Sequence, residues 1–170
     1  WFTRLEFRGW LDELLAEGDS PAEAAMLAGS YDLVLTQAAL DEWIEELESA
    51  ELFAFDTETT SLNYMRARIV GVSFAVEPGR AAYVPLAHDY PDAPEQLNRE
   101  AVLARLKPLL EDPARDKVGQ NLKYDASVLA NHGIELRGIR YDTMLESYVL
   151  NSTASRHDMD SLALKYLGQS

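Results

Sequence analysis

Runs of apolar residues predict a sheet in the first half of the chain. Four apolar residues, Leu52 to Phe55, end at two carboxylates, Asp56 and Glu58. An unbroken run of this kind is typical of a central strand that is covered on both faces. A second strand is predicted from Ile69 to Val76, where side chains alternate, and a third from Ala81 to Leu86. The turn between the last two contains proline and glycine and predicts a hairpin.

Apolar residues at spacings of three and four predict helices around these strands. The helices are expected to begin after polar residues suited to the N-cap position: Thr36, Asn98, Asn121, Thr143 and Asp158. The helix after Thr143 should bury a stripe formed by Met144, Leu145, Tyr148 and Val149. Short strands are predicted at Tyr31 to Leu35, Lys117 to Gly119 and Ile139 to Asp142. The pattern predicts an α/β fold with a mixed sheet, an antiparallel hairpin plus parallel strands, flanked by helices.

Length and composition favour one main domain with some additional chain. The 170 residues are 47% hydrophobic and include no cysteine, which excludes disulfides and thiolate metal sites. The sequence contains neither a signal-peptide pattern nor a run long enough to span a bilayer, so we expect a cytoplasmic protein without membrane contact. Residues 1–30 share no periodicity with the rest of the chain and are interpreted as a linker or the tail of a preceding domain. Both ends of the chain are interpreted as cut from a longer protein.

The charge of the chain argues against unaided binding to nucleic acid. Twenty-nine acidic and 15 basic residues give a formal net charge of −14, which repels a phosphate backbone at long range. The repulsion is overcome if bound cations bridge acid and phosphate, or if a basic partner domain supplies the affinity. Composition alone does not decide between these alternatives.

Three carboxylates are the candidate chemical centre. Asp56 and Glu58 are two residues apart on a strand, so they project from the same face and can bind one cation together. Asp125 lies at helical spacing from Leu122 and Leu129, on an apolar stripe where an unpaired acid is rare. The alternatives are a strand that simply ends in polar residues and an acid that complements the dipole of a helix.

Four sequence strings carry a family resemblance. They are FAFDTET at 53–59, VGQNLKYD at 118–125, YDTMLESYVLN at 141–151 and RHDMDSLA at 156–163. Together they resemble the 3′→5′ proofreading exonuclease domain of bacterial, family A, DNA polymerase I, over about Tyr31 to Ser170. D-x-E on a strand and N-x-x-x-D on a helix are the first two exonuclease motifs of that family. The resemblance implies a ribonuclease H-like fold.

The resemblance also implies roles for individual residues. Asp56, Glu58 and Asp125 would be catalytic metal ligands, and the residues in contact with the substrate would be Thr59, Leu62, Asn121 and Arg156. The implied cofactors are two divalent ions, Mg²⁺ or Mn²⁺, with Zn²⁺ as an alternative at one site. The implied partners are a single-stranded 3′ end of DNA and a polymerase domain in the same parent chain. Residues 1–30 would be the end of a preceding 5′-nuclease domain, and 31–170 the exonuclease domain.

One motif of the family is missing from this sequence. No tyrosine is followed by aspartate four places on, so the Y-x-x-x-D motif, with its water-orienting tyrosine and fourth metal-binding acid, is absent. The exonuclease domain is therefore expected to be incomplete at its C-terminal end and to have little or no activity as a fragment. Two alternatives are a non-catalytic vestigial domain of a family A polymerase and a related RNA-trimming 3′→5′ exoribonuclease.

Overall fold

The computed structural model describes residues 30–153 and 156–168, which form six strands and five helices. The strands are β1 Ser30–Leu33, β2 Leu52–Thr59, β3 Ile69–Glu77, β4 Arg80–Pro85, β5 Asp116–Gly119 and β6 Ile139–Asp142. The helices are α1 Gln37–Ser49, α2 Arg99–Glu111, α3 Leu122–Ala130, α4 Thr143–Leu150 and α5 Met159–Leu167. Residues 1–29, which belong to the stretch interpreted as a linker or the tail of a preceding domain, lie outside the described residues.

A single mixed sheet organises the described chain. Its strand order is β1-β4-β3-β2-β5-β6. The hairpin of β3 and β4 and the pair β2 and β3 are antiparallel, whereas β5 runs parallel to both β2 and β6. The predicted mixed sheet is confirmed. Because β2 and β5 are parallel, their carboxyl ends meet at the same edge of the sheet, where α3 begins.

The two faces of the sheet differ in burial. Cross-strand partners such as Phe55 and Phe74 share the face that packs on the helices and forms the hydrophobic core. Asp56 and Glu58 alternate with these positions and therefore lie on the other face. The expectation that Leu52 to Phe55 is covered on both faces is wrong, because burial along β2 alternates between buried and half-buried positions. The acids consequently stand on the less covered face.

Capping residues set the ends of several helices. Thr36 accepts a hydrogen bond from the Ala39 backbone N–H at 3.2 Å, as predicted for the start of α1. Asn98 caps α2 in the same way, through the N–H of Ala101 at 2.9 Å. α3 ends at Ala130 with Asn131 as its C-cap, and the turn after it contains Gly133, whose φ of +72° is readily adopted by glycine.

The prediction for the buried side of α4 is wrong. Leu145, Tyr148 and Val149 are 55%, 56% and 82% exposed. Ser147 is the buried residue of this helix, and its hydroxyl is 2.9 Å from Nδ1 of His157. The first turn of α4 is capped by Asp142 at the end of β6, and in the resulting orientation Ser147 faces the protein while most of the apolar stripe faces outward.

None of the helices within 30–153 and 156–168 is both long and apolar enough to cross a membrane.

Candidate active site

A cleft of about 430 Å³ lies at the carboxyl end of β2. Six of the seven residues predicted for the site line it: Asp56, Glu58, Thr59, Leu62, Asn121 and Asp125. β2 and the loop after it provide one wall, and the first turn of α3 provides the other. Residues distant in sequence are thus brought together where the parallel strands β2 and β5 end.

Asp125 is buried and anchored to β2. It is 2% exposed, and its Oδ1 accepts hydrogen bonds from the backbone N–H and the hydroxyl of Thr57 at 3.0 and 2.6 Å. A side chain at Gly119 would come within 2.5 Å of the Leu122 side chain and 2.8 Å of the Phe55 carbonyl oxygen. The absence of a side chain at Gly119 therefore allows α3 to approach β2 closely. The predicted inward orientation of Asp125 is confirmed.

The carboxylates perturb one another. Burial raises the pKa of Asp56 to about 6, and the neighbouring charges of Asp125 and then Glu58 act in the same direction. Burial also raises the pKa of Asp125, against the opposing effect of its hydrogen bonds from Thr57. A cluster of partly desolvated acids is costly unless a proton or a cation compensates its charge.

The donor set suits a hard divalent cation. Carboxylate oxygens are the ligands that Mg²⁺ and Mn²⁺ prefer, and the pKa of Asp56 is raised first by burial and then by the charges of Asp125 and Glu58, so a cation bound there would offset an unfavourable charge. No group of three acidic or histidine side chains in the described part of the chain is already arranged around one ion position. Asp125 points its Oδ1 at Thr57. The convergence of Asp56, Glu58 and Asp125 on a single cation stays a prediction.

A tyrosine that the sequence interpretation missed braces one side of the cleft. The Tyr124 hydroxyl lies 2.5 Å from Oγ1 of Thr59 and donates to the Ser61 carbonyl oxygen at 2.6 Å. Tyr124 thus ties the loop after β2 to α3, while Leu62 in that loop is 94% exposed at the mouth of the cleft. The sequence does contain a signal for Tyr124. This residue directly precedes Asp125 in the helix that forms one wall of the cleft.

The cap of α4 differs from the prediction. Its N-cap is Asp142 rather than Thr143, and the Asp142 carboxylate accepts from the N–H groups of Met144 and Leu145. Asp142 precedes the helix at the end of β6, a position where aspartate commonly caps, and the sequence interpretation passed over it. Thr143 instead donates from its hydroxyl to the Gly119 carbonyl oxygen at 3.2 Å.

Arg156 is the predicted residue that the structure leaves outside the cleft. Its side chain is 74% exposed and pairs with Asp158 at 3.0 Å. The segment beside it is nevertheless attached to the cleft wall, because the side-chain amide of Gln120 donates to the His157 carbonyl oxygen at 2.7 Å. A role for Arg156 in substrate binding stays a prediction.

The stability of the metal-free protein is expected to depend on the protonation of Asp56. The pKa of Asp56 is about 6 in the folded chain and near 3.9 when unfolded. Ionisation therefore opposes folding increasingly as the pH rises from about 4 to about 6. Asp56→Asn removes this penalty, so its melting temperature should exceed that of wild type by about 2–4 °C at pH 7, after allowance for partial exposure, and by little at pH 4.

Thermal melts in chelator at several pH values measure this effect. Glu77→Gln, at an exposed acid at the other end of the sheet, is the matched control and should show no pH-dependent difference from wild type. A constant offset between Asp56→Asn and wild type across the pH range would contradict the prediction.

A mixed six-stranded sheet with acids at the end of its central strand has the ribonuclease H-like fold. The family model described as 3′–5′ exonuclease matches residues 31–170. The chain belongs to this family, which occurs in family A DNA polymerases. The family resemblance and the fold class inferred from the sequence are both confirmed.

Similar proteins extend well beyond this chain. DNA polymerase I of Pseudomonas aeruginosa is 60% identical over 180 residues, which cover 99% of this chain and 19% of the relative. DNA polymerase I of Rhizobium leguminosarum is 43% identical, over 82% of this chain and 15% of the relative. The chain thus spans a fifth or less of the length of these relatives.

Solved structures share the fold. Pol1 of M. smegmatis, in a complex with DNA primer-template and dNTP, matches with a TM-score of 0.65 and 22% identity, over 81% of this chain and 23% of that one. Trypanosoma brucei RNase D in its GMP complex matches with a TM-score of 0.65 and 19% identity, over 85% of this chain and 43% of that one. Brucella melitensis NrnC with bound Mg²⁺ matches with a TM-score of 0.55 and 23% identity, over 82% of this chain and 61% of that one. Identities this low establish likeness of fold alone.

Proposed function

We propose that this chain is the proofreading domain of a bacterial DNA polymerase I and removes nucleotides from the 3′ end of single-stranded or frayed DNA. One observation carries the proposal. Asp56, Glu58 and Asp125 line a single cleft in a chain that is 60% identical to a DNA polymerase I. Residues 31–170 would form the exonuclease domain, 1–30 the end of a preceding nuclease domain, and the polymerase domain of the same cytoplasmic protein would be the partner.

Asp56, Glu58 and Asp125 would hold the divalent ions. Their oxygen donors and their uncompensated charge fit Mg²⁺ or Mn²⁺, and a neighbour in fold was solved with Mg²⁺. When bound, such ions stabilise the negative charge that develops on the phosphate during phosphodiester hydrolysis. Without them, a chain of charge −14 repels its substrate. Basic regions of the complete polymerase would supply the remaining affinity.

The other cleft residues would bind and orient the last nucleotide. Leu62 presents an exposed apolar surface at the cleft mouth, on which a base can pack. Thr59 and Tyr124 offer hydroxyl groups beside the acids, and Asn121 offers its side-chain amide. We infer that the cleft takes the end of a single strand and not a duplex, so that the substrate frays before it is hydrolysed. A mismatched terminus frays at lower cost, which directs hydrolysis to misincorporated nucleotides.

The complete polymerase should release mononucleotides from the 3′ end of a 5′-labelled single-stranded DNA in millimolar Mn²⁺, and release should stop in chelator. On a primer-template without nucleotides, a mismatched terminus should be removed about ten-fold faster than a matched one, because fraying costs less. Gel analysis of products over time measures both rates.

An RNA strand of the same sequence is the comparison substrate in this assay. Faster digestion of RNA than of DNA would support the exoribonuclease alternative, for which the fold likeness to RNase D is the observation. Failure to digest either strand would support a vestigial domain and refute the proposal.

A further inference from the structure

Asp142 holds the first turns of two helices at once. Asp142 is 9% exposed and lies at the end of β6. Oδ1 accepts from the backbone N–H of Asn121 at 3.1 Å and from those of Met144 and Leu145 at 3.1 and 3.2 Å. Oδ2 accepts from the N–H of Leu122 at 2.8 Å. A single negative group thus satisfies backbone donors at the starts of both α3 and α4.

This arrangement changes what the Asn121 side chain does. Asn121 is the N-cap of α3, but its backbone is left-handed, with φ 59° and ψ 45°, and its side chain makes no capping hydrogen bond. An asparagine at this position ordinarily directs its side chain to the backbone of its own helix. Asp142, which is distant in sequence, performs that task here. The Asn121 amide lines the cleft without being committed to the cap.

The same contacts fix the start of the helix that carries Asp125. Asp125 lies in the first turn of α3, where a rotation of the helix would move its carboxylate relative to Thr57. The hydrogen bonds from Asn121 and Leu122 to Asp142 join this turn to β6, and β6 pairs with β5 through Gly119 and Asp142. The first turn of α3 is therefore held from two sides.

We propose that Asp142 is a positioning residue of the nuclease site. It caps α3 from outside, so that the amide of Asn121 remains directed to the terminal nucleotide and the carboxylate of Asp125 keeps its place. This inference rests on the proposed exonuclease function. Asp142 contacts backbone groups, so it acts on the substrate through Asn121 and not directly.

Asp142→Asn is the most conservative test, because it replaces only one of the two carboxylate oxygens with an NH₂ group. The asparagine oxygen can still accept the three hydrogen bonds of Oδ1, whereas its NH₂ group would face the Leu122 N–H that Oδ2 now accepts. The expected result in the complete polymerase is a loss of about ten-fold in kcat/KM for single-stranded DNA, with DNA synthesis unchanged.

A double-mutant cycle separates positioning from loss of stability. Asn121→Ala alone should lower kcat/KM about ten-fold as well, but in the Asp142→Asn background it should have little further effect, because the amide is already displaced. The matched control is Asn98→Ala, which removes the cap of α2, a helix that contributes no residue to the cleft. It should lower the melting temperature by about 2–4 °C and leave kcat/KM unchanged.

Each contrary outcome has a distinct meaning. Additive effects of Asp142→Asn and Asn121→Ala would overturn the proposal, as would an equal loss of activity in Asn98→Ala. An active wild type together with a fully active Asp142→Asn would also overturn it, while leaving the exonuclease function intact. A wild type without exonuclease activity would instead refute the proposed function and this inference with it.

Discussion

Replacing Asp56 and Glu58 together with alanine in the complete polymerase should lower 3′→5′ digestion of single-stranded DNA by about a thousand-fold or more. The two acids share one face of β2 and line one cleft with Asp125. Removing them takes away two of the three carboxylates proposed to hold the divalent ions. DNA synthesis should be largely unchanged, because this chain matches 19% of the DNA polymerase I of Pseudomonas aeruginosa and the proposed polymerase domain belongs to the remainder of the parent chain.

The measurement is the rate of release of the 3′-terminal nucleotide, with primer extension assayed on the same preparation. Glu51→Ala with Glu77→Ala makes a matched control, since it removes two exposed acids from the opposite end of the sheet and changes the net charge equally. Digestion by the Asp56 and Glu58 variant at a rate near that of wild type would show that the acids are not the nuclease centre.

Asp125→Asn should have opposite effects on activity and on stability. The amide oxygen can still accept from Thr57, so the attachment of α3 to β2 is kept. The variant removes a buried charge whose pKa is raised by desolvation, and the metal-free protein should therefore melt at a higher temperature than wild type at pH 7. Digestion should fall by about a thousand-fold, because a neutral amide is a poor metal ligand.

Melting curves with and without millimolar Mn²⁺ test this pair of effects. Wild type should be stabilised by the ion, since a ligand that binds the folded state raises its stability, and Asp125→Asn should respond much less. A variant that is stabilised by Mn²⁺ as strongly as wild type would remove Asp125 from the set of metal ligands. If Asp125→Asn melts at a lower temperature than wild type in chelator, the expectation that the buried charge of Asp125 destabilises the metal-free protein is contradicted.

Much of the fold could be predicted because the relevant signals are local. The strand that ends at Asp56, the hairpin after it and the start of α1 after Thr36 depend on alternation, turn residues and capping. The inward position of Asp125 could be inferred from helical spacing, and this residue is indeed 2% exposed. Each of these features is encoded within about ten consecutive residues.

The errors concern contacts between distant segments. The exposure of Tyr148 and Val149 could not be inferred from spacing, because spacing identifies an apolar stripe but not what the stripe packs against. The role of Asp142 depends on the start of α3, which is about twenty residues earlier in the chain. A capping pattern confined to Thr143 and the residues after it cannot contain this contact.

The hydrogen bonds between Thr57 and Asp125 join residues that are 68 positions apart, which affects the order of events during synthesis. The acids of β2 leave the ribosome well before the residue that completes their cleft has been made. Closing a loop of this length must await long-range pairing of β2 with β5, a slow class of folding event. The cleft proposed to act as a nuclease site is therefore completed only once most of this domain has folded.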